Sequence, residues 1–204
     1  YFPSFVLKSS EETLKVYPFA FALKITYTLK KHDLEVCWEV VIMILKLCIL
    51  PSAAIRHSVF RYVKANPRVI TVLLFEGLDT LTYLLIDTSV GTVLADEPHT
   101  LSLENGTCSI APHMFDKDAL VFDNGQIQKA GILFPDGTPY LTLTSEGFPN
   151  FGIWSVPGAP FVCLEPWMGR CDDCGFEKPL SEKANINVLK PDEEFIKSYQ
   201  ITVH

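Results

Sequence analysis

Leu23, Ile25, Tyr27 and Leu29 alternate with Lys24, Thr26 and Thr28, a period of two that gives an extended chain one apolar and one polar face. Residues 30–33 make a polar turn, and Leu34, Val36, Trp38 and Val40 then return at alternate positions. The two runs predict a β-hairpin. Residues 81–87 and 91–94 predict a second hairpin around Thr88-Ser89-Val90-Gly91. A loop-rich stretch follows, in which residues 112–118 predict a short helical turn ahead of a strand at 119–122. In Phe134-Pro135-Asp136-Gly137-Thr138, proline pre-sets the second turn position and glycine stands where φ turns positive. The strands predicted after it cover 140–144, 148–155 and 160–167, the last two divided by Pro157-Gly158. A polar excursion over 172–187 and a loop at 189–195 lead into a final strand at 196–203. Strands separated by turn signals, with hardly any helical periodicity, predict an all-β protein, a sandwich or barrel of antiparallel strands.

Composition narrows the class. With 48% apolar and 20% charged residues in 204, the chain has the material for a sizeable core, arranged as a single domain over residues 1–204, and it excludes disorder. Fourteen Phe and seven Tyr agree with strands. A net charge of −7 argues against a nucleic-acid partner. The most apolar run, residues 40–50, is interrupted by Lys46 and closed by Pro51, too short for a membrane span. Residues 1–5 carry no basic region or small-residue cleavage site, and no initiating Met stands before them, so the expectation is a cytoplasmic protein lacking an N-terminal portion.

The six cysteines are Cys37, Cys48, Cys108, Cys163, Cys171 and Cys174. A chain with this much apolar material needs no disulfides, so reduced thiols are expected. Cys171 and Cys174 have the spacing of half a zinc site, but no second pair completes four ligands; no metal is expected there.

Candidate chemistry gathers in residues 152–169. Taken as a strand, Phe161, Cys163, Glu165 and Trp167 share one face and Val162 and Leu164 the other. Glu165 is then a carboxylate among apolar and aromatic neighbours, an arrangement suited to proton transfer, and is expected on a concave face beside at least one ring. A strand-end carboxylate bonded to backbone or water fits the same spacing. Trp154 and Trp167 offer flat surfaces that stack on sugar C–H faces or simply pack. Asp118, directly before a buried strand, suits ligand binding and turn formation equally.

The segment Gly152-Ile-Trp-Ser-Val-Pro-Gly-Ala-Pro-Phe-Val-Cys-Leu-Glu-Pro-Trp-Met-Gly169 resembles the aldose 1-epimerase (galactose mutarotase-like) family, in its bacterial lactose-operon branch. So do Phe115-Asp-Lys-Asp-Ala-Leu-Val-Phe122, Tyr17-Pro-Phe19 and Leu189-Lys-Pro-Asp-Glu-Glu-Phe195. The resemblance covers most of the chain and corresponds to roughly the C-terminal two-thirds of a family member. It implies a large antiparallel β-sandwich, the galactose mutarotase-like supersandwich, interconverting the α and β anomers of a free hexose without metal or organic cofactor. The protein is expected as a monomer or homodimer. It further implies that Glu165 takes the proton of the anomeric hydroxyl and that Asp118 holds sugar hydroxyls, with Trp154 and Trp167 as cleft walls.

The family's acid, a His in a Gly-Gly-His-Pro-Ala-Phe segment, is missing. Residues 52–58 read Ser-Ala-Ala-Ile-Arg-His-Ser, and the codons that encode them, read from each third base, permit Gly-Gly-His-Pro-Ala-Phe. Residues 41–72 are therefore read as translated out of frame, with Arg56, His57, Arg61 and Lys64 at positions never selected to pack. His57 lacks the flanking glycines and is not read as a substitute; His32, His99, His113 and His204 have no better claim. The alternatives are a carbohydrate-binding relative that has lost its acid and a glycoside hydrolase using Asp118 and Glu165.

Overall fold

The structure, a computed structural model, describes residues 2–42, 72–159, 161–190 and 193–204, together with the backbone of 48–50 and 59–60. In chain order, β1 (Ser4–Lys8) and a short helix, α1 (Glu11–Val16), precede the hairpin β2 (Phe21–Lys30) and β3 (Asp33–Ile42). Short strands follow as β4 (Cys48–Leu50), β5 (Val59–Phe60), β6 (Val72–Leu74), β7 (Thr80–Tyr83), β8 (Ile86–Asp87), β9 (Thr92–Val93), β10 (His99–Ser102) and β11 (Thr107–Ser109). The C-terminal half contributes β12 (Leu120–Phe122), β13 (Lys129–Leu133), β14 (Pro139–Thr144), β15 (Asn150–Trp154), β16 (Val162–Trp167), β17 (Asn187–Leu189) and β18 (Glu194–Val203).

Two sheets carry the architecture. The larger runs β1-β2-β3-β18-β14-β13-β6-β11, and a four-stranded sheet runs β12-β15-β16-β5, every pair antiparallel. Of the sandwich or barrel that the alternating pattern predicts, this is the antiparallel β-sandwich, as the family resemblance implies. Lys31, at φ 55°, and His32 turn β2 back on β3, and the register Tyr27↔Val36↔Tyr199 and Leu23↔Val40↔Phe195 lines apolar side chains across three strands. A slip of one residue would turn this whole row to the other face, so burial itself specifies the pairing.

The inner faces meet in one core. Val36, Trp38, Leu73, Ala130, Ile132, Leu141, Leu143 and Ile201 of the large sheet pack with Leu120, Phe122, Phe151, Ile153, Val162 and Leu164 of the small one. Each Leu, Ile or Phe so buried contributes about 1.5–3 kcal/mol relative to exposure. The 134–138 turn forms as its residues dictate: Gly137 has φ 85° and donates its N–H to the Phe134 carbonyl at 2.9 Å.

Three local differences from the sequence pattern have physical reasons. The hairpin around 88–91 exists, but only β8 and β9 pair there; β7 instead pairs with β10, where Leu81–Leu101 and Thr82–Thr100 stand as matched cross-strand pairs. Residues 11–16 form a helix nucleated by a capping box, in which the Ser10 side chain accepts from Thr13 N–H and the Thr13 hydroxyl accepts from Ser10 N–H. Residues 112–118 make successive turns rather than a helix, closed by Asp118 at φ 77°. The side chains of Arg56, His57, Arg61 and Lys64 lie outside the described residues, as does most of the 41–72 segment.

Candidate functional site

The hairpin of β15 and β16 sets which side chains share a surface. Its connection is held by Ser155, whose hydroxyl donates to the Phe161 carbonyl at 2.6 Å, and by a turn at Gly158, φ 76°. The resulting register pairs Asn150 with Trp167, Gly152 with Glu165 and Trp154 with Cys163. Residues directly opposite in an antiparallel pair point to the same side. Val121 of β12, opposite Gly152, joins them. The sandwich core takes Val162, Leu164, Ile153 and Phe151, so Glu165, Cys163, Trp167 and Trp154 stand on the outer face of the small sheet.

That outer face is itself covered. Trp167 packs with Leu84, Val93 and Val121 in a second apolar cluster, and Glu165 is only 9% exposed. The Trp167 Nε1–H donates to Glu165 Oε2 at 3.1 Å, so the ring expected beside the carboxylate is Trp167. Cys163, two residues earlier on the same face, is buried, and its thiol pKa is pushed up to about 12. Burial is the larger cause; the negative charge of Glu165 and a hydrogen bond to it add to the shift. Gly152 has no side chain for a simple reason: a Cβ there would overlap the six-membered ring of Trp167 at Cζ2 and Cη2.

The other residues singled out from sequence are placed as follows. Trp154 is half-buried on the Glu165 face, its ring centroid 5.9 Å from that of Phe161. Asp118 lies two residues before β12, at the end of the sheet toward Trp154, since Leu120 pairs with Ile153. Its Oδ1 accepts from Ala119 N–H at 2.8 Å, the turn-forming role its position allows. The structure thus brings Glu165, Trp154 and Trp167 onto one face and sets Asp118 at its margin. Cys171 and Cys174 flank a backbone bridge, with Val93 N–H donating to Asp172 and Cys174 N–H donating to Val93. Among the described residues no three His, Cys, Asp or Glu side chains converge as a metal site would require.

Arg170 escapes the strand periodicity altogether. Its side chain is 5% exposed, donates to Asp173 Oδ1 at 2.5 Å and stands 3.7 Å from Asp123 Oδ2. Asp123 directly follows β12, so this buried charge ties the end of β12 to the loop after β16. An Arg at the end of a run, 160–171, whose only other charged residue is Glu165, with Asp172 and Asp173 behind it, is the signal that marks it. Asn150 and Met168 are tied to the polar excursion in a similar way: Asn185 donates to Asn150 Oδ1, and Asn187 to the Met168 carbonyl, each at 3.0 Å.

The described histidines lie outside β12, β15 and β16. His32 is in the β2–β3 turn, and His99 stacks on Tyr83 with centroids 5.2 Å apart. His113 pairs with Asp116 at 2.8 Å, and His204 Nε2 lies 3.1 Å from Thr142 Oγ1. His57 is outside the described residues.

The chain is 24% identical to the protein LacX of Lactococcus lactis subsp. lactis over 213 residues, which span 98% of this chain and 68% of LacX. Among solved structures it is similar to the galactose mutarotase related enzyme of Lactobacillus acidophilus, with TM-score 0.80 and 24% identity over 100% of this chain and 68% of that one. It is similar also to a galactose mutarotase-like protein of Lactobacillus casei ATCC 334, with TM-score 0.80 and 21% identity over 100% of this chain and 70% of that one. No family model matches. The resemblance stated from the Glu-Pro-Trp block therefore holds: the fold is the galactose mutarotase-like one, and the chain spans about two thirds of these relatives. Among the described residues no helix is long and apolar enough to cross a membrane.

Proposed function

We propose that this chain, built on the galactose mutarotase-like fold, works as an aldose 1-epimerase on a free monosaccharide, with Glu165 as the general base. The observation that carries this reading is the carboxylate itself. It is nearly buried, on the sheet face turned away from the sandwich core, with one oxygen held by the Trp167 indole. A carboxylate kept there without a cationic partner among the described residues is a poor contributor to stability, since burying charge costs free energy unless it is well paired. Proton transfer at a sugar hydroxyl gives it a use.

In the reaction, Glu165 removes the proton of the anomeric hydroxyl while an acid protonates the ring oxygen. The bond from the anomeric carbon to that oxygen breaks and an open-chain aldehyde forms. Rotation about the first carbon–carbon bond and reclosure give the other anomer, and both protons return. Asp118 accepts hydrogen bonds from sugar hydroxyls, and Trp154 lies against a C–H face. The acid is not supplied by β12, β15 or β16, and the sequence lacks the Gly-Gly-His-Pro segment that carries it in the resembling family. That loss favours one second reading, a sugar-binding protein without turnover.

Polarimetry of freshly dissolved α-glucose and α-galactose tests both readings. Acceleration by the wild type that falls at least about 10²-fold in Glu165→Gln supports the epimerase. Saturable sugar binding with no acceleration supports the binding protein and ends the first reading.

A further inference from the structure

We infer that Trp167 is the positioning residue of Glu165 rather than a platform for the sugar, and that Gly152 is the vacancy in the neighbouring strand that admits it. The inference rests on the reading of Glu165 as the base and assigns Trp167 a role within that site. Three independent observations carry it. First, the indole N–H is spent on Glu165 Oε2 at 3.1 Å, fixing one carboxylate oxygen. A hydrogen bond to an ionised group holds geometry more strongly than one between neutral partners. Second, the ring is buried among Leu84, Val93 and Val121, which leaves little of its face to stack on a sugar; it is 7% exposed. Third, the sheet has made room for it. Gly152 is the register partner of Glu165, and any Cβ there would collide with the Trp167 ring. A glycine in the middle of a strand costs stability, so its place marks a close approach that the ring requires.

The geometry has a direct consequence for proton transfer. A base works only when the accepting oxygen is within hydrogen-bond reach of the proton it abstracts. A glutamate has three side-chain torsions to fix, and the indole removes the last of them. The neighbours on this face are Asn150, Gly152 and Trp154 of β15 and Val121 of β12, none of them titratable. Cys163, on the same strand, stays protonated up to about pH 12 and so adds no charge in the working range.

The test pairs kinetics with a spectroscopic measurement that needs no turnover. In Trp167→Phe, kcat for mutarotation should fall about tenfold with KM nearly unchanged, and the acid limb of the kcat/KM profile should move about one pH unit higher. Gly152→Ala, which displaces the same ring, should reproduce both changes. A rise in KM with an unmoved pH profile would overturn the inference, because that is the behaviour of a stacking platform. In ¹⁵N-labelled wild-type protein, the indole N–H resonance assigned to Trp167 should move with pH, and Glu165→Gln should abolish the movement. An indole resonance indifferent to Glu165→Gln refutes the contact, even if the Phe variant fails to fold. A coupled indole in a wild type that does not accelerate mutarotation would instead refute the proposed function and leave the positioning contact standing.

Discussion

The two faces of β15 and β16 are built from alternate residues of the same eleven, yet they differ in kind. The inner face, Phe151, Ile153, Val162, Leu164 and Pro166, is uniformly apolar, and its first four residues merge with the core of the large sheet. The outer face, Asn150, Gly152, Trp154, Cys163, Glu165 and Trp167, mixes a carboxylate, an amide, a thiol, two indoles and an empty position. Both are buried along β16. Burial on the inner face follows from hydrophobicity alone, whereas burial on the outer face holds polar groups that need specific partners, one of which is in hand as the Trp167–Glu165 bond. The apolar core and the candidate site thus lie on opposite faces of a single sheet.

The largest expected effect sharpens the chemical side. Restoring the shifted frame across residues 41–72, so that residues 52–57 read Gly-Gly-His-Pro-Ala-Phe, should raise the mutarotation rate by about 10²–10⁴-fold, the usual contribution of a positioned general acid. Polarimetry of the two proteins side by side measures it, and equal rates would mean that another group already donates the proton.

The structural side should break at Phe151. Phe151→Ala empties a fully buried inner position and should cost about 3–5 kcal/mol in urea unfolding. Glu165→Gln, on the opposite face, should change stability far less, because the amide oxygen still accepts from Trp167. A Glu165→Gln loss as large as that of Phe151→Ala would erase the division of labour.

At the margin of the face, Asp118→Asn keeps an oxygen for Ala119 N–H but removes the charge. It should leave the fold intact and raise KM roughly tenfold, the value of one hydrogen bond to a charged group. An unchanged KM would return Asp118 to the turn alone.

The smallest effect is a pH dependence. In the folded protein the Cys163 thiol is held up at about 12, above its ordinary 9.0, by burial and by Glu165. The unfolded chain therefore loses this proton first, and stability falls as pH rises from about 9 toward 12, while nothing from this group changes below that window. Cys163→Ala should flatten that part of the slope in thermal melts. Iodoacetamide at pH 8 should modify exposed Cys174 readily and Cys163 only after unfolding, as read by mass spectrometry.

The sequence by itself determined most of the principal strands, their faces and the stretch in which the candidate residues group. Alternation at 23–29 and 34–40 is a local property of each strand, and so is the grouping of Cys163, Glu165 and Trp167, because side chains alternate with a period of two whatever the strand packs against. The Pro135-Asp136-Gly137 turn was legible for the same reason, since its dihedral requirements lie within a few residues. What only the tertiary structure decided is which face of β16 meets the core, that Trp167 is bonded to Glu165 and closed off by Leu84 and Val93, and that Gly152 is the gap beside it. The burial of Arg170 between Asp123 and Asp173 belongs here too. The physical reason is register. These contacts join residues from about two to eighty positions apart through cross-strand pairing, and both faces of β16 are apolar enough to be buried, so no single-strand pattern could rank them.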